Sequence, residues 1–452
     1  MAPPLRWVSV AMRCMQQPPV RFSLRAGRRL RYCVVIALTL GFLPATVWSA
    51  PASVSFDDAM RLAVERAPAL AARRSQTLAA REEAVRATAL PDPKLTASIA
   101  NWPITGADAF DFRADDMTMK QIGVMQEFPA RAKRQARLAV ADRNIEQAEA
   151  LSISERLAVR RGAAEAWIAL WAAQREVAAL EELREPSTVA VRTAKARLAG
   201  GTGTATDALA TQASALELEN RIDAAMASLE AARATLARWL DTAPADLKAD
   251  DVPPALTELP ITPATLLASI DRQGPLLPWR TREALAEAEV DAAVAEKRPD
   301  WSLGVTYGQR ERTPAGVARS DMLMVEFGID LPLFPRNRQD RGVAARRAEL
   351  DAVVAEREDA RRMQVEAVGR ALAEWQGLQR QVTRQETQSL LLAHDRAKTA
   401  LALYAAGGDL QPWLQARRDE IELHVEHANQ LGELGRAWAA LAYLLPEEEV
   451  SP

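Results

Sequence analysis

The chain has 452 residues, 48% hydrophobic and 26% charged, which is the range of an ordered protein with a sizeable core rather than a disordered one. Its 57 basic and 60 acidic residues give a net charge of −3, which argues against nucleic acid as a partner, since phosphate binding needs a basic face. Three histidines, two cysteines and the lack of a nucleophile elbow, phosphate loop or metal constellation make an enzyme the weakest reading, with no cofactor expected.

The first 52 residues differ from the rest. Arg25, Arg28, Arg29 and Arg31 precede an apolar run over 33–43, and Ala50, Pro51 and Ala52 follow. Residues 1–52 therefore read as a secretory signal peptide cut after Ala52, too short in its apolar run to anchor, with Met12 or Met15 as alternative starts. Its removal takes Cys14, Cys33 and seven arginines, leaving 50 basic against 60 acidic residues and a charge of about −10. No later stretch offers the roughly 18 uninterrupted apolar residues of a spanning helix. An exported chain that crosses a membrane must then do so as a β-barrel.

Ser55 or Asp57 is expected to cap a short helix carrying Met60, Leu62, Ala63 and Val64, and a second helix is expected over 69–89, ended by Pro91 and Pro93. The period then drops to two. Leu95, Ala97 and Ile99 alternate with Thr96, Ser98 and Ala100, and a second alternating stretch covers 117–128. Both approach the roughly 9 to 11 residues of a tilted membrane strand. Trp102, Phe110, Phe112 and Phe128 stand near their ends, where interfacial aromatics belong. Beyond Pro129, residues 131–199 read as one helix about 100 Å long, rich in Ala, Leu, Arg, Glu and Gln. A turn containing Gly200, Gly201 and Gly203 reverses it into a return helix over 206–240, where Ile222, Leu229 and Leu236 recur at sevens as a packing seam.

The second half repeats this order. Pro91-Asp92 recurs as Pro299-Asp300, Phe128-Pro129 as Phe334-Pro335, Gly201 near Gly408 and Leu240 near Leu445, all at offsets of about 205 to 208 residues. Strands are expected over 302–310 and 321–331, a long helix over 336–406 and a return over 412–445, with Val368, Trp375 and Val382 at sevens and Val365 and Leu372 also seven apart. The chain divides as 53–250 and 251–452, two repeats of one intertwined unit. Four strands are too few for a closed barrel, which needs at least about eight, so the chain must oligomerise. The fold expected is mainly α with a small membrane β-barrel. Each protomer is a duplicated helical hairpin and β-hairpin, and a trimer closes a 12-stranded barrel continuous with a long α-helical barrel.

The order of elements, the duplication, the strand ends Gln126-Glu127-Phe128-Pro129 and Leu331-Pro332-Leu333-Phe334-Pro335-Arg336-Asn337-Arg338, and the two tips together resemble the outer-membrane factor family typified by TolC. The resemblance covers essentially the whole chain after residue 52, and the strand-end segments look most like the family's heavy-metal efflux branch. In the family tip an aromatic is followed by Gly, a small hydroxyl residue and Asp. The first tip meets this with Gly201, Thr204 and Asp207, with Leu198 in the aromatic place; the second keeps Tyr404 and Gly407 but has Leu410 and Trp413 in the last two places.

The resemblance implies a passive outer-membrane exit duct reaching into the periplasm, with metal cations or organic drugs as cargo. It also implies a homotrimer in outer-membrane lipid, joined by a periplasmic adaptor to an inner-membrane pump of the resistance-nodulation-division type. Asp207 and Tyr404 fall at gate positions, and Asp409 is placed to supply mouth charge that Trp413 does not. Gly200, Gly201, Thr204, Gly407 and Gly408 form the tip turns where the adaptor is expected to dock. Blander roles weigh against each: the glycines reverse the chain, Asp207 caps a helix and Tyr404 packs.

His424 and His427, with Glu422 and Glu426, invite a metal reading, but without a third firm ligand they are expected to be solvated helix residues. Met117, Met119, Met125, Met322 and Met324 are expected in strands, lipid-facing or packed rather than a thioether path for copper. The charged stretch 344–362 is expected to be a solvated helix face. A periplasmic coiled-coil adaptor is the competing class, but it would show one hairpin and compact β-modules instead of two hairpins with paired strands.

Overall fold

The computed structural model describes residues 52–244 and 247–446. The expected signal peptide lies outside them. A short strand β1 (Ala52–Val54) leads into α1 (Phe56–Arg66) and α2 (Pro68–Thr88). Ser55 caps α1, its hydroxyl accepting from the Asp58 amide at 3.1 Å, and Pro68 opens α2 at a position where no amide is needed. A hairpin follows, β2 (Lys94–Ala100) and β3 (Met119–Phe128), and then α3 (Arg131–Glu182), α4 (Arg184–Ala199) and α5 (Ala205–Leu240). Strand β4 (Leu247–Ala249) pairs in parallel with β1, and α6 (Pro263–Ala268) follows. The second series is α7 (Leu277–Ala295), β5 (Asp300–Arg310), β6 (Met322–Asp330), α8 (Gln339–Arg384), a π-helical turn over Gln385–Ser389, α9 (Leu390–Ala405) and α10 (Gln411–Ala442).

The expected first long helix is two helices. Its axis is interrupted at Leu183, because Pro186 has no amide to give the Glu182 carbonyl and its ring crowds that oxygen. The corresponding helix of the second half holds no proline, yet it is interrupted at the matching level by the π turn over Gln385–Ser389, where one extra residue is accommodated. Met117 also falls outside its expected strand. The Asp115 carboxylate accepts its amide at 2.7 Å and Thr118 donates to the Asn101 carbonyl at 2.7 Å, so the turn continues to Thr118.

The four longer strands form one antiparallel sheet in the order β2-β3-β5-β6. Its register puts Leu95 opposite Val124, Val124 opposite Val305, and Val305 opposite Val325. Alternation then gathers Leu95, Ile99, Ile122, Val124, Leu303, Val305, Leu323, Val325 and Ile329 on one face, with Trp301, Tyr307 and Phe327. The other face carries Thr, Ser, Gln, Glu, Asp, Gly and all four methionines of the strands. Leu323, Val325 and Phe327 are exposed, and β2 and β6 have no neighbour on their outer edges among the described residues. An apolar face and two open edges in one sheet are unstable in isolation. Aromatics bracket the sheet: Trp102 stacks on Phe112 at 4.7 Å at the loop end, and Phe128 stacks on Trp301 at 4.3 Å at the helix end.

The main core lies midway along the helices and joins α1, the middle of α3, the end of α5, α8 and the end of α10. Three indoles fasten irregular chain to it: Trp167 donates to the Val54 carbonyl at 2.8 Å, Trp375 to Leu256 at 2.9 Å and Trp438 to Glu258 at 2.7 Å. Trp375 thereby satisfies the carbonyl of buried Leu256, and Val54 accepts from the Asp250 amide as well. The seam residues Ile222, Leu236, Val368, Trp375 and Val382 are buried as expected, whereas Val365 is exposed. The charged stretch 344–362 is largely exposed, as expected, and within it Arg346 pairs with Glu289 at 3.0 Å, Glu356 with Arg282 at 3.0 Å and Arg357 with Glu283. These pairs bind α8 to α7 across their interface.

Candidate functional site at the helical tips

Both helical hairpins reverse through the same capping geometry. In the first, the Gly201 amide donates to the Leu198 carbonyl and the Thr202 amide to Arg197, at 3.1 and 2.9 Å. In the second, Gly407 donates to Tyr404 and Gly408 to Leu403, at 3.1 and 2.9 Å. These are paired Schellman motifs, which need a left-handed residue just past each helix. Gly201 has φ +71° and Gly407 φ +106°. Gly408 is required for a different reason, because a Cβ there would lie 2.9 Å from the Leu403 carbonyl oxygen. Gly200 is under neither constraint, its nearest contact being 3.4 Å away.

Asp207 and Thr204 form a reciprocal capping box at the start of α5. The Thr204 hydroxyl accepts from the Asp207 amide at 3.1 Å, and the Asp207 carboxylate accepts from the Thr204 amide at 3.4 Å. Asp409 accepts from the Gln411 amide at 3.3 Å at the start of α10 and is exposed. Tyr404 is fully buried, packed with Leu410, Trp413, Ala397 and Ala400 in a small core between the two hairpins. Its hydroxyl has no hydrogen-bond partner. Burial raises the phenol pKa, as does the nearby Asp207 carboxylate, while Arg197 opposes both. Trp413, at the place where an acid was expected, fills this core instead of facing solvent.

Nothing in the residue pattern singles out Arg197. Its guanidinium lies over the Tyr404 ring at 4.4 Å and donates to the carbonyls of Tyr404 at 2.5 Å, Gly408 at 3.1 Å and Gly407 at 3.5 Å on the second tip. It also donates to Thr202 on its own tip at 3.3 Å. One planar fork thus ties both turns together.

A second cluster holds the helix interruptions. Arg417 of α10 is buried, pairs with the equally buried Glu420 at 2.9 Å, and donates to Ser187 at 3.1 Å and to the Leu183 carbonyl. Burial pulls the Arg417 pKa down while Glu420 pulls it up. Glu420 also meets His394 Nδ1 at 3.1 Å. Arg417 was legible in one respect, as a charged pair at i and i+3 between the apolar positions Trp413, Leu414 and Ile421.

On the same helix, His427 Nδ1 lies 3.1 Å from the side-chain oxygen of Gln385 in the π turn. His424 and His427 are therefore half-buried rather than solvated, and they line a cavity of about 710 Å³ with Trp171, Glu176 and Glu182. Burial lowers both imidazole pKa values from 6.5, with His424 and Arg175 adding to the effect at His427, and it raises that of Glu176. No group of three or more His, Cys, Asp or Glu converges among the described residues. Each histidine resists protonation in the folded state, so its stabilisation is complete above 6.5 and declines as pH falls through the lowered folded value. Unfolding midpoints should therefore drop as pH falls below 6.5, and the slope should flatten in a His424→Gln, His427→Gln double variant.

A four-stranded sheet with one apolar face, continued by two pairs of long helices with glycine tips, is the fold of outer-membrane channel proteins. Residues 275–446 match the family described as Outer membrane efflux protein. Its fold is similar to that of the outer-membrane channel OprN, with TM-score 0.71, 19% identity, and 86% of this chain and 89% of that one covered. It is similar to CusC with TM-score 0.69 at 14% identity, covering 86% and 92%. It is likewise similar to VceC of Vibrio cholerae with TM-score 0.69 at 18% identity, covering 85% and 94%. No curated protein sequence matches the chain. The family match and the shared fold are those of an outer-membrane efflux channel, a class of transport proteins.

Proposed function

We propose that the chain closes as a homotrimer in outer-membrane lipid and serves as the exit duct of a tripartite efflux system for heavy-metal cations. The observation that carries this reading is the sheet: two open edges and one continuous apolar face require neighbours and lipid, and three copies satisfy both. Energy then comes from an inner-membrane pump of the resistance-nodulation-division type through a periplasmic adaptor. Metal cargo is supported by the strand-end segments 126–129 and 331–338, and organic cargo is the alternative outcome of the same test. Residues 1–52 are removed on export, and 53–250 and 251–452 are the two copies of a duplicated unit.

The gate lies at the tips, with Asp207, Tyr404 and Asp409 around the mouth, and the adaptor docks on Gly200, Gly201, Thr204, Gly407 and Gly408. Since Gly201, Gly407 and Gly408 are demanded by the turns themselves, the informative substitution is Gly200→Trp. It should leave a heat-modifiable trimer in the outer-membrane fraction and abolish resistance to the exported ion. Retained resistance would remove the first tip from the docking surface. Comparing resistance to metal salts and to organic drugs in a deletion strain carrying the wild-type chain decides the cargo.

A further inference from the structure

We infer that the polar face of the sheet carries a thioether ladder that binds soft monovalent d10 cations, Cu(I) and Ag(I), during passage. The inference rests on the reading above, in which the sheet closes with that face toward the channel. Two observations set the ladder apart from ordinary packing. Every Leu, Val and Ile of β2, β3, β5 and β6 lies on the apolar face, whereas Met119, Met125, Met322 and Met324 all lie on the other. A lipid-facing role would place methionine among those aliphatic side chains, and not one of the four is there; of the packed role also expected from the sequence, Met119 is the one buried instance.

The second observation is what stands opposite them. Along β5 the polar face runs Gly304, Thr306, Gly308. A Cβ on Gly308 would lie 2.7 Å from the Met119 sulfur, so that sulfur rests over Gly308, whose partner on β6 is Met322. Met324 pairs with Thr306, one rung along. At Gly304 a Cβ would lie 3.9 Å from Met125 and 3.6 Å from Glu326. Rungs two residues apart are spaced by about 6.6 Å, so thioethers recur at the three successive rungs of Gly304, Thr306 and Gly308, with Ser302 and Glu127 on the helix side of them. Met322 and Met324 are exposed, Met125 is half-buried, and Met119, whose strand partner is Arg310, is buried over Gly308.

Thioethers are neutral, soft and polarisable, which favours Cu(I) and Ag(I) over Zn(II) or alkali ions. Ligands of this kind, repeated at several sites, let an ion enter and leave, as conduction requires. Glu326, across Gly304 from Met125, supplies attraction for a cation, while Lys94 on the other side of Met125 is paired with Glu127.

Ag(I) in nitrate electrolyte is the probe, because it holds its oxidation state. Trimers in planar bilayers should show current interruptions with Ag(I) and none with Zn(II). A Met119→Leu, Met125→Leu, Met322→Leu, Met324→Leu variant, which conserves side-chain volume, should lose those interruptions relative to its own silver-free current. A readout independent of conduction is methyl NMR of methionine-labelled trimers in detergent. Ag(I) should shift the four strand methyls at lower concentration than those of Met226 and Met363, which stand alone on helices. Equal titration of strand and helix methyls, or interruptions that persist in the variant, would overturn the ladder. Early shifts in trimers that pass no current would leave the ladder standing and sink the duct.

Discussion

Arg417→Leu is expected to destabilise the fold by about 3 to 5 kcal/mol, the usual cost of leaving one member of a buried ion pair alone. Glu420, only 2% exposed, would keep its charge with no guanidinium beside it. The Leu183 carbonyl and the Ser187 hydroxyl would lose their donor where the first long helix is interrupted. Arg417→Lys should not rescue, because a single ammonium cannot reproduce a planar fork that meets Glu420, Ser187 and Leu183 together. A double variant, Arg417→Met with Glu420→Leu, should recover most of the loss, since replacing both charges by apolar side chains of similar size is often neutral. Thermal unfolding followed by circular dichroism, together with the temperature at which the trimer dissociates on a gel, measures all three. A single variant that melts like wild type would mean that the interruption at Leu183 is held by α4 and α5 packing alone.

The features that could be read in the sequence are those in which residue type directly reports backbone geometry or burial. Alternation located the four strands to within two residues at most ends, and the sevens at Ile222 and Val368 marked faces that are buried. Gly201 and Gly407 marked the turns because little else tolerates a left-handed backbone. The interruption at Leu183 had a local cause in Pro186, but the π turn over Gln385–Ser389 has none. It is met by His427 from a helix about 40 residues away in sequence, and no local pattern announces such a contact. Arg197 was invisible for a similar reason. Three of its four acceptors are backbone carbonyls more than 200 residues further along, and a carbonyl has no sequence signature. Alternation also contained the methionine arrangement, since Met119 and Met125 share parity, but only the register across four strands decided which face that parity is.

Arg197→Ala should raise the resting conductance of the reconstituted channel. The two glycine turns of one protomer are joined by this guanidinium, through three carbonyls of the second tip, one of the first, and the Tyr404 ring. Any widening of the mouth that moves one hairpin past the other must break these contacts together. Charge-assisted hydrogen bonds are worth about 1.5 to 3 kcal/mol each when desolvated, and partial exposure reduces the sum. A net loss of about 2 kcal/mol from the closed arrangement multiplies the open-to-closed ratio by roughly 30. Arg197→Lys should recover little, because a point charge cannot reach Tyr404 and Gly408 while covering the ring. Asp207→Ala provides the contrast. Its carboxylate caps α5 and lies near the Tyr404 hydroxyl, so a capping role alone would lower the melting temperature and leave the closed fraction as it was. Single-channel recordings of the three variants at matched trimer amounts, with entry of large antibiotics into cells expressing them, distinguish these outcomes. If Arg197→Ala channels close as often as wild type, the fork only fastens the turns and the gate must be held elsewhere in the trimer.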